Sequence, residues 1–221
     1  MTLELRWRQR DGERLLFVVH GYAEHPASAL TLGAILDPTL QLRLCAPKGP
    51  LVISDDRHAF YRVDFKARQV ELDSFTKALD DIGAALDEAC EIVGRPREDA
   101  VLAGFSQGAG LALATCFGRS RRPPPARLVL FSPVIYDDDL VDWDFSKQMP
   151  SVFWTHGDQD DIVSLERAKV MQDRLASHGV PVESLDILGG QHVLIPEGLA
   201  AGRDWLAREW IAQPNRGSTE D

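Results

Sequence analysis

The pentapeptide Gly104-Phe105-Ser106-Gln107-Gly108 places a serine between two glycines, and it carries the clearest chemical potential in this chain. It follows the apolar run 100–103 and precedes a run of small residues over 109–114. A short strand, a Gly-x-Ser-x-Gly turn and a helix form a nucleophile elbow, which lifts the serine Oγ clear of a sheet. The glycines are needed because a side chain there would strike strand or helix. This context argues against a chance motif in a loop, and we predict Ser106 as the nucleophile of an acyl transfer.

A serine hydroxyl is a poor nucleophile at neutral pH and needs a base at hydrogen-bond distance. His192 is the first candidate, because it directly follows the last predicted strand in Gly189-Gly190-Gln191-His192. His156 also ends a predicted strand, but it precedes the acidic segment, whereas the order on such folds is serine, acid, histidine. We therefore expect His156 to make a structural hydrogen bond and His192 to be the base.

The base in turn requires a carboxylate that fixes its tautomer and stabilises its charged form. Residues 155–163, downstream of Ser106 and directly after a predicted strand, offer three carboxylates: Asp158, Asp160 and Asp161. This segment and the His192 loop both come at carboxyl ends of predicted strands, where open α/β sheets bind ligands. The residues alone leave the choice among the three open.

Strand-like runs alternate with helical runs from residue 14 onward, which predicts an α/β fold, a mainly parallel sheet with helices on both faces. Strands are predicted at 14–19, 42–47, 100–103, 127–132, 150–156 and 182–188, and helices at 27–36, 73–93, 109–117, 164–178 and around Trp205 and Trp210. Residues 3–7 alternate with period two, and Asp11-Gly12 marks a tight turn, so we also expect an N-terminal hairpin. Residues 48–62 are expected to form a long loop.

Composition limits the kinds of protein that this chain can be. Its 221 residues carry a net charge of −10, which repels phosphate backbones, so nucleic acid is not an expected partner. No apolar run is long enough for stable membrane insertion, and the N-terminal residues lack the order of a secretory signal, so we expect a cytoplasmic protein. The length predicts one domain over residues 1–212 and a flexible C-terminal tail over 213–221. Cysteines at 45, 90 and 116 lack Cys-x-x-Cys spacing, which predicts reduced thiols in the core.

Five motifs together resemble the bacterial carboxylesterase/phospholipase family of the α/β-hydrolases, the branch that contains acyl-protein thioesterases and lysophospholipase-like esterases. They are His20-Gly21, Ala46-Pro47-Lys48-Gly49-Pro50, Gly104-Phe105-Ser106-Gln107-Gly108-Ala109, His156-Gly157-Asp158-Gln159-Asp160 with Val163, and Gly189-Gly190-Gln191-His192. The resemblance implies the α/β-hydrolase fold, with Ser106 as nucleophile, Asp160 as acid and His192 as base.

Within the acid loop, the resemblance favours Asp160 because the family acid lies four residues after the loop histidine and three before the loop valine. Asp160 has this spacing to His156 and Val163. Asp161 occupies a position that is often proline in the family. We therefore expect Asp161 to precede or cap the helix that begins near Ser164, where negative charge is favourable.

The resemblance also implies an oxyanion hole made of two backbone N–H groups, those of Gln107 and Tyr22. Loss of one such donor typically costs about 3 kcal/mol of transition-state stabilisation. The sequence departs from the family beside Tyr22, with Ala23 and Glu24 where relatives carry Gly and Asp. Alternatively, Glu24 is a solvated acid with no role in the site.

The activity implied by the resemblance is hydrolysis of carboxylic esters, thioesters or lysophospholipids through an acyl-enzyme intermediate, with no cofactor and no metal. The expected partner is a small-molecule ester or thioester, and the sequence leaves open whether the chain forms a homodimer. Residues 134–149 are too few for a cap domain, so the site should be open. Loop aromatics are candidates for an apolar acyl groove, with plain packing as the alternative: Phe60, Tyr61, Tyr136, Trp143 and Phe145.

Two further interpretations remain as alternatives. A catalytically silent α/β-hydrolase scaffold that binds a ligand or a partner would share this fold, because a fold alone never establishes function. Such scaffolds usually lack one residue of the catalytic set, and all three are present in this chain. The acidic residues between 137 and 144 invite a calcium interpretation, but they lack EF-hand spacing, so we predict a solvated rim.

Overall fold

The computed structural model describes residues 3–8, 12–67 and 69–211 and centres on a sheet of seven strands. The described strands are β1 (Leu5–Arg8), β2 (Arg14–Val19), β3 (Leu42–Pro47), β4 (Leu51–Ser54), β5 (Arg57–Ala59), β6 (Val63–Asp64), β7 (Gln69–Val70), β8 (Val101–Phe105), β9 (Arg127–Phe131), β10 (Ser151–Gly157) and β11 (Val182–Ile187). The described helices are α1 (Ala27–Leu36), α2 (Leu72–Val93), α3 (Gln107–Phe117), α4 (Leu165–Ser177) and α5 (Pro196–Ile211), with a 3₁₀ turn at Arg97–Asp99. The tail predicted at 213–221 and Asp11 of the predicted turn lie outside the described residues.

The sheet has the order β1-β3-β2-β8-β9-β10-β11, and every neighbouring pair is parallel except β1 with β3. The central strands are almost wholly apolar because helices cover both faces of the sheet. Successive side chains of β2 therefore enter two different core clusters, Leu15, Phe17 and Val19 on one face and Leu16 and Val18 on the other. The prediction of a mainly parallel sheet with helices on both faces is confirmed.

The helices end where the sequence supplies stop signals. α2 has its apolar residues three and four positions apart, and it ends at Gly94, whose left-handed backbone (φ 74°) donates its N–H to Cys90 O at 2.9 Å. α4 begins after Ser164, whose Oγ accepts the N–H of Arg167 at 3.3 Å. Both predicted helices agree with the observed bounds to within one residue at each end.

The three cysteines are buried free thiols, as predicted. Burial raises the pKa of Cys90 to about 11 and that of Cys116 to about 12, and it also raises the pKa of Cys45. Thiols that stay protonated are poor nucleophiles and pack as small apolar residues. These side chains therefore contribute to the core rather than to chemistry.

The predicted N-terminal hairpin is wrong. β1 pairs antiparallel with β3, from Leu5 opposite Pro47 to Arg8 opposite Leu44, so that β3 lies between β1 and β2. The reason is that β2 is apolar on both faces and takes a parallel neighbour on each side, β3 and β8. β1 therefore pairs with the outer edge of β3 and not with β2.

The prediction for residues 48–62 was incomplete, whereas that for residues 134–149 agrees with the structure. Residues 48–62 contain the hairpin of β4 and β5, in which Leu51 pairs with Ala59, where a long loop was expected. Residues 134–149 are irregular and hold no cap domain, as predicted, and Asp137 and Asp138 form ion pairs with arginines of α4 at 2.5 and 2.6 Å. Within the described residues no helix combines the length and apolar character needed to cross a bilayer.

Candidate active site

The elbow predicted at Ser106 joins β8 to α3 through a backbone that non-glycine residues rarely adopt, with φ 52° and ψ −117° at Ser106. Hydrogen bonds fix both sides of this turn. The N–H of Ser106 donates to the backbone O of Phe131 at 3.0 Å, and the N–H of Gly110 donates to the backbone O of Ser106 at 2.9 Å. The turn carries the serine side chain to the carboxyl edge of the sheet.

The crowding predicted at the two elbow glycines is present. A Cβ at Gly104 would lie 2.7 Å from the backbone N of Ala109, and a Cβ at Gly108 would lie 2.5 Å from the backbone O of His20. Real Cβ atoms do not approach backbone this closely, so α3 can pack against the ends of β8 and β2 only because both residues are glycine.

The side chains of Ser106, His192 and Asp160 form a continuous hydrogen-bonded chain. Oγ of Ser106 lies 2.7 Å from Nε2 of His192, and Nδ1 of His192 lies 2.7 Å from Oδ2 of Asp160. An ionised carboxylate only accepts, so the Nδ1 proton of His192 donates to Asp160 and Nε2 accepts the hydroxyl proton of Ser106. This tautomer is the one in which an imidazole can take a proton from a serine.

The Asp160 carboxylate is enclosed by hydrogen-bond partners, and 0% of its side chain is exposed. Oδ1 accepts the N–H groups of Ile162 and Val163 at 3.0 and 2.8 Å, and Oδ2 lies 3.3 Å from Nε2 of His156 in addition to its bond with His192. Burial alone would raise the pKa of Asp160, but the hydrogen bonds from His156, His192 and Val163 outweigh it and hold that pKa well below its ordinary value. Asp160 is therefore ionised at neutral pH and able to stabilise a charged imidazole.

The other two carboxylates of the acid loop make no hydrogen bond to His192 among the described residues. Asp158 instead accepts the N–H of Gly189 at 2.7 Å, which fixes the turn before the His192 loop. Asp161 is exposed, and Ser164 rather than Asp161 caps α4. The geometry thus brings Asp160, the residue favoured by the family spacing, to the imidazole.

His156 is buried at the end of β10 and supports the acid loop. Its Nε2–H donates to the backbone O of Val163 at 2.7 Å, and the same nitrogen lies 3.3 Å from Oδ2 of Asp160. The Nε2–H group of His156 is therefore used in a hydrogen bond to the acid loop. This is the kind of structural hydrogen bond expected of His156.

The two proposed oxyanion donors follow the ends of neighbouring strands. Tyr22 comes after β2 and Gln107 after β8, and Val19 and Gly104 near the ends of these strands are register partners. No hydrogen bond between described residues uses either N–H. Gln107 also opens α3, where the helix dipole adds a positive potential for a developing negative charge.

Glu24 holds the loop that carries Tyr22. Its Oε2 accepts the N–H of Gly21 at 2.8 Å and the Oγ–H of Ser28 at 2.9 Å. Ala23 has a φ of 52°, a left-handed conformation that costs a non-glycine residue about 1–2 kcal/mol. Ala23 and Glu24, the two residues that differ from the family pattern, therefore act together. The Glu24 carboxylate holds in place the loop that contains the strained Ala23. The sequence did not indicate this positioning role beyond the departure itself.

His20 supports the same loop from its other end. Its Nδ1–H donates to the backbone O of Gly21 at 2.8 Å, and its Nε2 accepts the N–H of Gly49 at 3.0 Å, so the ring must be neutral. Burial lowers the pKa of His20 to about 4, although the bond to Gly21 opposes this shift. The sequence showed His20 only as part of a motif.

The side chain of Gln107 has a function that the sequence did not reveal. Its Oε1 accepts the N–H of Phe60 at 2.9 Å, and its Nε2 donates to the backbone O of Tyr61 at 3.1 Å. The ring of Phe60 lies 4.5 Å from that of His20. Phe60 therefore packs against His20, just before the loop that carries Tyr22, and the elbow is tied to the segment after β5.

Tyr61 and Tyr136 pack inside the protein behind the elbow. Their hydroxyls are 2.7 Å apart, and the ring of Phe75 lies 5.3 Å from one ring and 4.5 Å from the other. Burial raises the pKa of both phenols, so both stay protonated. Both side chains are buried and their polar ends are occupied, which corresponds to the packing alternative rather than to an open acyl groove.

Trp143 and Phe145 do not lie beside Ser106, which corrects the prediction that they line a groove there. Trp143 pairs with Gly118 just past the far end of α3, and the ring of Phe145 lies 5.8 Å from that of Phe117. The eleven residues of α3 separate these positions from the elbow by roughly 16 Å. The 134–149 loop runs along α3 away from the elbow, which sequence spacing could not show.

A mainly parallel sheet with a strained serine elbow and a Ser–His–Asp hydrogen-bonded chain at its carboxyl edge defines an α/β-hydrolase. The crystal structure of esterase PE8 superposes with a TM-score of 0.81, covering 94% of this chain and 99% of that chain at 23% identity. The carboxylesterase of Bacillus cereus gives a TM-score of 0.78, covering 93% and 94% at 18% identity. At these identities the likeness is one of fold.

The chain belongs to the phospholipase/carboxylesterase family, whose profile matches residues 13–209, and it is thereby a hydrolase. It is also 29% identical over 102 residues to acyl-protein thioesterase 1 homolog 1 of Dictyostelium discoideum. That alignment covers 46% of this chain and 45% of the relative, less than half of either. The family expected from the five motifs is confirmed.

Substitutions in the acid loop test which carboxylate acts on His192. Asp160→Asn should lower kcat by about four orders of magnitude, because an amide at this position leaves the imidazole in the wrong tautomer and its charge unsupported. Asp161→Asn should leave kcat within about twofold, because exposed surface substitutions are usually near neutral. Hydrolysis of a p-nitrophenyl ester measures both, with circular dichroism as the control for folding. The reverse ranking in two folded variants would contradict the geometry.

Glu24 is expected to act on turnover through the position of the Tyr22 amide. Glu24→Ala should lower kcat about tenfold with little change in KM, a fraction of what removal of a whole donor costs. Glu24→Gln retains an acceptor oxygen and should recover most of that loss. Ser28→Ala, which removes only the second hydrogen bond of Glu24, is the matched control and should be mild. Full activity in Glu24→Ala would show that the loop holds its position without the carboxylate.

His20 makes the free energy of unfolding depend on pH. Its folded pKa of about 4 lies below the ordinary value of 6.5, so the unfolded chain binds more protons between these pH values and stability falls as the pH drops through this window. The full loss is about 3 kcal/mol, at about 1.4 kcal/mol per pKa unit. Urea unfolding between pH 7 and pH 4 measures it. His20→Gln, which keeps an acceptor for Gly49, should show a shallower slope, and parallel slopes would refute the assignment.

Proposed function

We propose that the chain is a serine esterase that hydrolyses carboxylic esters or thioesters with an apolar acyl group through an acyl-enzyme on Ser106. The observation that carries this proposal is the hydrogen-bonded chain from Ser106 through His192 to Asp160. In the first step Oγ of Ser106 attacks the carbonyl carbon while its proton passes to Nε2 of His192. The N–H groups of Gln107 and Tyr22 receive the negative charge that develops on the carbonyl oxygen.

The same groups then complete the acylation and carry out the deacylation. The bond from the carbonyl carbon to the leaving oxygen or sulfur breaks, and that atom takes the proton from Nε2 of His192. Water then gives a proton to Nε2 and attacks the acyl carbon, and the released serine oxygen recovers the proton. The products are a carboxylic acid and an alcohol or thiol, and no cofactor enters the proposed cycle.

Exposed apolar side chains next to the candidate catalytic loops support an apolar substrate. Ile162, two residues after Asp160, is 60% exposed, and Val193, directly after His192, is 54% exposed. The ring of Tyr22 lies 5.0 Å, centroid to centroid, from that of Phe65, which is 60% exposed. Apolar surface of this kind around a polar centre suits a hydrocarbon chain. The name of the Dictyostelium relative, an acyl-protein thioesterase, agrees with an acyl group as the part that is recognised.

Turnover and labelling of two proteins, wild type and Ser106→Ala, test the proposal. Wild type should hydrolyse p-nitrophenyl esters, with kcat/KM rising as the acyl chain lengthens from acetate to octanoate, and a matched series of acyl thioesters shows which leaving group is preferred. Ser106→Ala should lose at least about three orders of magnitude in kcat, because the covalent route is gone.

A fluorophosphonate probe provides the second measurement. It should label wild type and not Ser106→Ala, while circular dichroism shows that both are folded. Equal labelling would refute Ser106 as the nucleophile. A folded wild type with neither labelling nor turnover would favour the catalytically silent scaffold instead.

A further inference from the structure

A cleft lies far from the elbow, between α2 and the C-terminal end of α3. It has a volume of about 680 Å³ and is also lined by the segment 118–122 and by residues 140–142. Its walls combine apolar side chains such as Leu79 with polar ones, among them Arg97, Thr115, Arg119, Arg121 and Arg122. We call it the α2–α3 cleft.

Arg97 is the unusual member of this cleft, because its side chain is only 5% exposed. Its Nη1 donates to Gly83 O at 3.1 Å and to Oδ1 of Asp87 at 2.6 Å. Its Nε and Nη2 are buried and have no hydrogen-bond partner among the described residues. Buried donors on a charged group are costly when they are left unpaired. Arg97 thus lines the cleft and carries two unpaired donors of a fixed guanidinium fork.

A third buried polar group adds to this pair. Oγ1 of Thr115, on α3, is also buried and without a partner in the part of the chain that the structure describes, and Thr115 lines the same cleft. A hydroxyl can donate to the same acceptor as a guanidinium, and an oxyanion offers several lone pairs to both. The two side chains approach from different elements, the 3₁₀ turn and α3.

The charge around the cleft is positive in spite of nearby carboxylates. Four arginines line it, those at 97, 119, 121 and 122, against the aspartates at 80 and 142. Asp87 accepts from both Arg97 and Arg122, and Asp142 is paired with Arg119. Arg121 makes no ion pair with any described residue and lies at the mouth of the cleft. The whole chain carries −10, so a positive site is a local feature.

From these observations we infer that the α2–α3 cleft binds a small organic anion, a carboxylate or a phosphate monoester with an apolar body. The anionic group would accept from Nε and Nη2 of Arg97 and from Oγ1 of Thr115, with Arg121 and Arg122 adding charge. The apolar body would lie against Leu79 and the neighbouring apolar wall. Planar guanidinium donors match carboxylate and phosphate oxygens in pairs, which fits this class of ligand better than a cation or a neutral molecule.

The cleft is separate from the candidate active site. Ser106 precedes the first turn of α3, whereas Thr115 lies in its last turn, nine residues away along the helix or roughly 14 Å. No side chain placed in the Ser106, His192 and Asp160 chain lines the cleft. Anion binding there does not depend on the proposed esterase activity.

Isothermal titration calorimetry of the full chain tests the inference with phenyl phosphate, hexanoate and inorganic phosphate as probes. Phenyl phosphate or hexanoate should bind with one site and a Kd of about 1 mM or tighter, and the stronger of the two identifies the preferred anion. Inorganic phosphate should bind more weakly because it lacks an apolar body. Absence of saturable binding for all three would overturn the inference.

Variants then locate the site. Arg97→Lys keeps a cation near Asp87 but removes the fork, and Thr115→Val removes only a hydroxyl; each should raise Kd about tenfold or more. Arg121→Gln, an exposed change that leaves folding intact, should raise Kd about threefold, since it removes a screened charge. Arg203→Gln on α5 is the matched control and should leave Kd unchanged.

Anion binding and ester hydrolysis should respond independently to these substitutions. Ser106→Ala should bind the anion as wild type does, and the three cleft variants should keep the wild-type kcat/KM for a p-nitrophenyl ester. Unchanged affinity in all three cleft variants, or loss of binding in Ser106→Ala, would place the anion elsewhere and overturn the inference.

Discussion

The positive φ of Ser106 is the constraint on which the rest of the candidate site depends. A residue in this region costs on the order of 1–3 kcal/mol, and here it persists because its N–H and C=O are both bonded and because glycines let α3 pack directly against the ends of β8 and β2. The same packing brings the first N–H of α3 beside the loop after β2. The candidate nucleophile and the proposed oxyanion donors are therefore placed by a single arrangement of two strands and a helix.

The second requirement is a carboxylate that can stay charged without water. Burial of an isolated charge is prohibitive, so Asp160 must be surrounded by donors before it can act on an imidazole. Two backbone N–H groups of its own loop and the rings of His156 and His192 supply them. Because His156 also donates to the backbone of Val163, the loop and the charge stabilise each other. His192 then needs only a fixed turn, which Asp158 provides through Gly189.

The sequence predicted those features that depend on neighbouring residues in the chain, and it failed for those that depend on contacts between distant segments. Ser106, His192 and the segment that holds Asp160 could be located because each comes shortly after an apolar run, and parallel strands bring such positions to one edge. The choice of Asp160 within that segment came from the spacing of the family motif. The β1 to β2 hairpin was wrong because strand pairing depends on competition with β3 and β8, which no local pattern records. Trp143 was misplaced because an irregular loop has no period from which its direction could be read. The hydrogen bonds of Glu24 and of the Gln107 amide could not be predicted, because their backbone partners come close to them only in the folded chain.

The arginines at the end of α3 could be explained as partners of the helix dipole, since cations are favourable near a helix C-terminus. That role is already filled at the last turn, where Nζ of Lys147 donates to Gly118 O at 2.9 Å and the N–H of Gly118 donates to Ala114 O at 2.8 Å. Arg97 makes no hydrogen bond to a described carbonyl of α3; its bonds go to Gly83 and Asp87 on α2. A dipole interaction would also leave Nε and Nη2 of Arg97 unpaired, at a cost that exposure to water would avoid. The buried position of this fork is therefore better accounted for by an anion than by the helix.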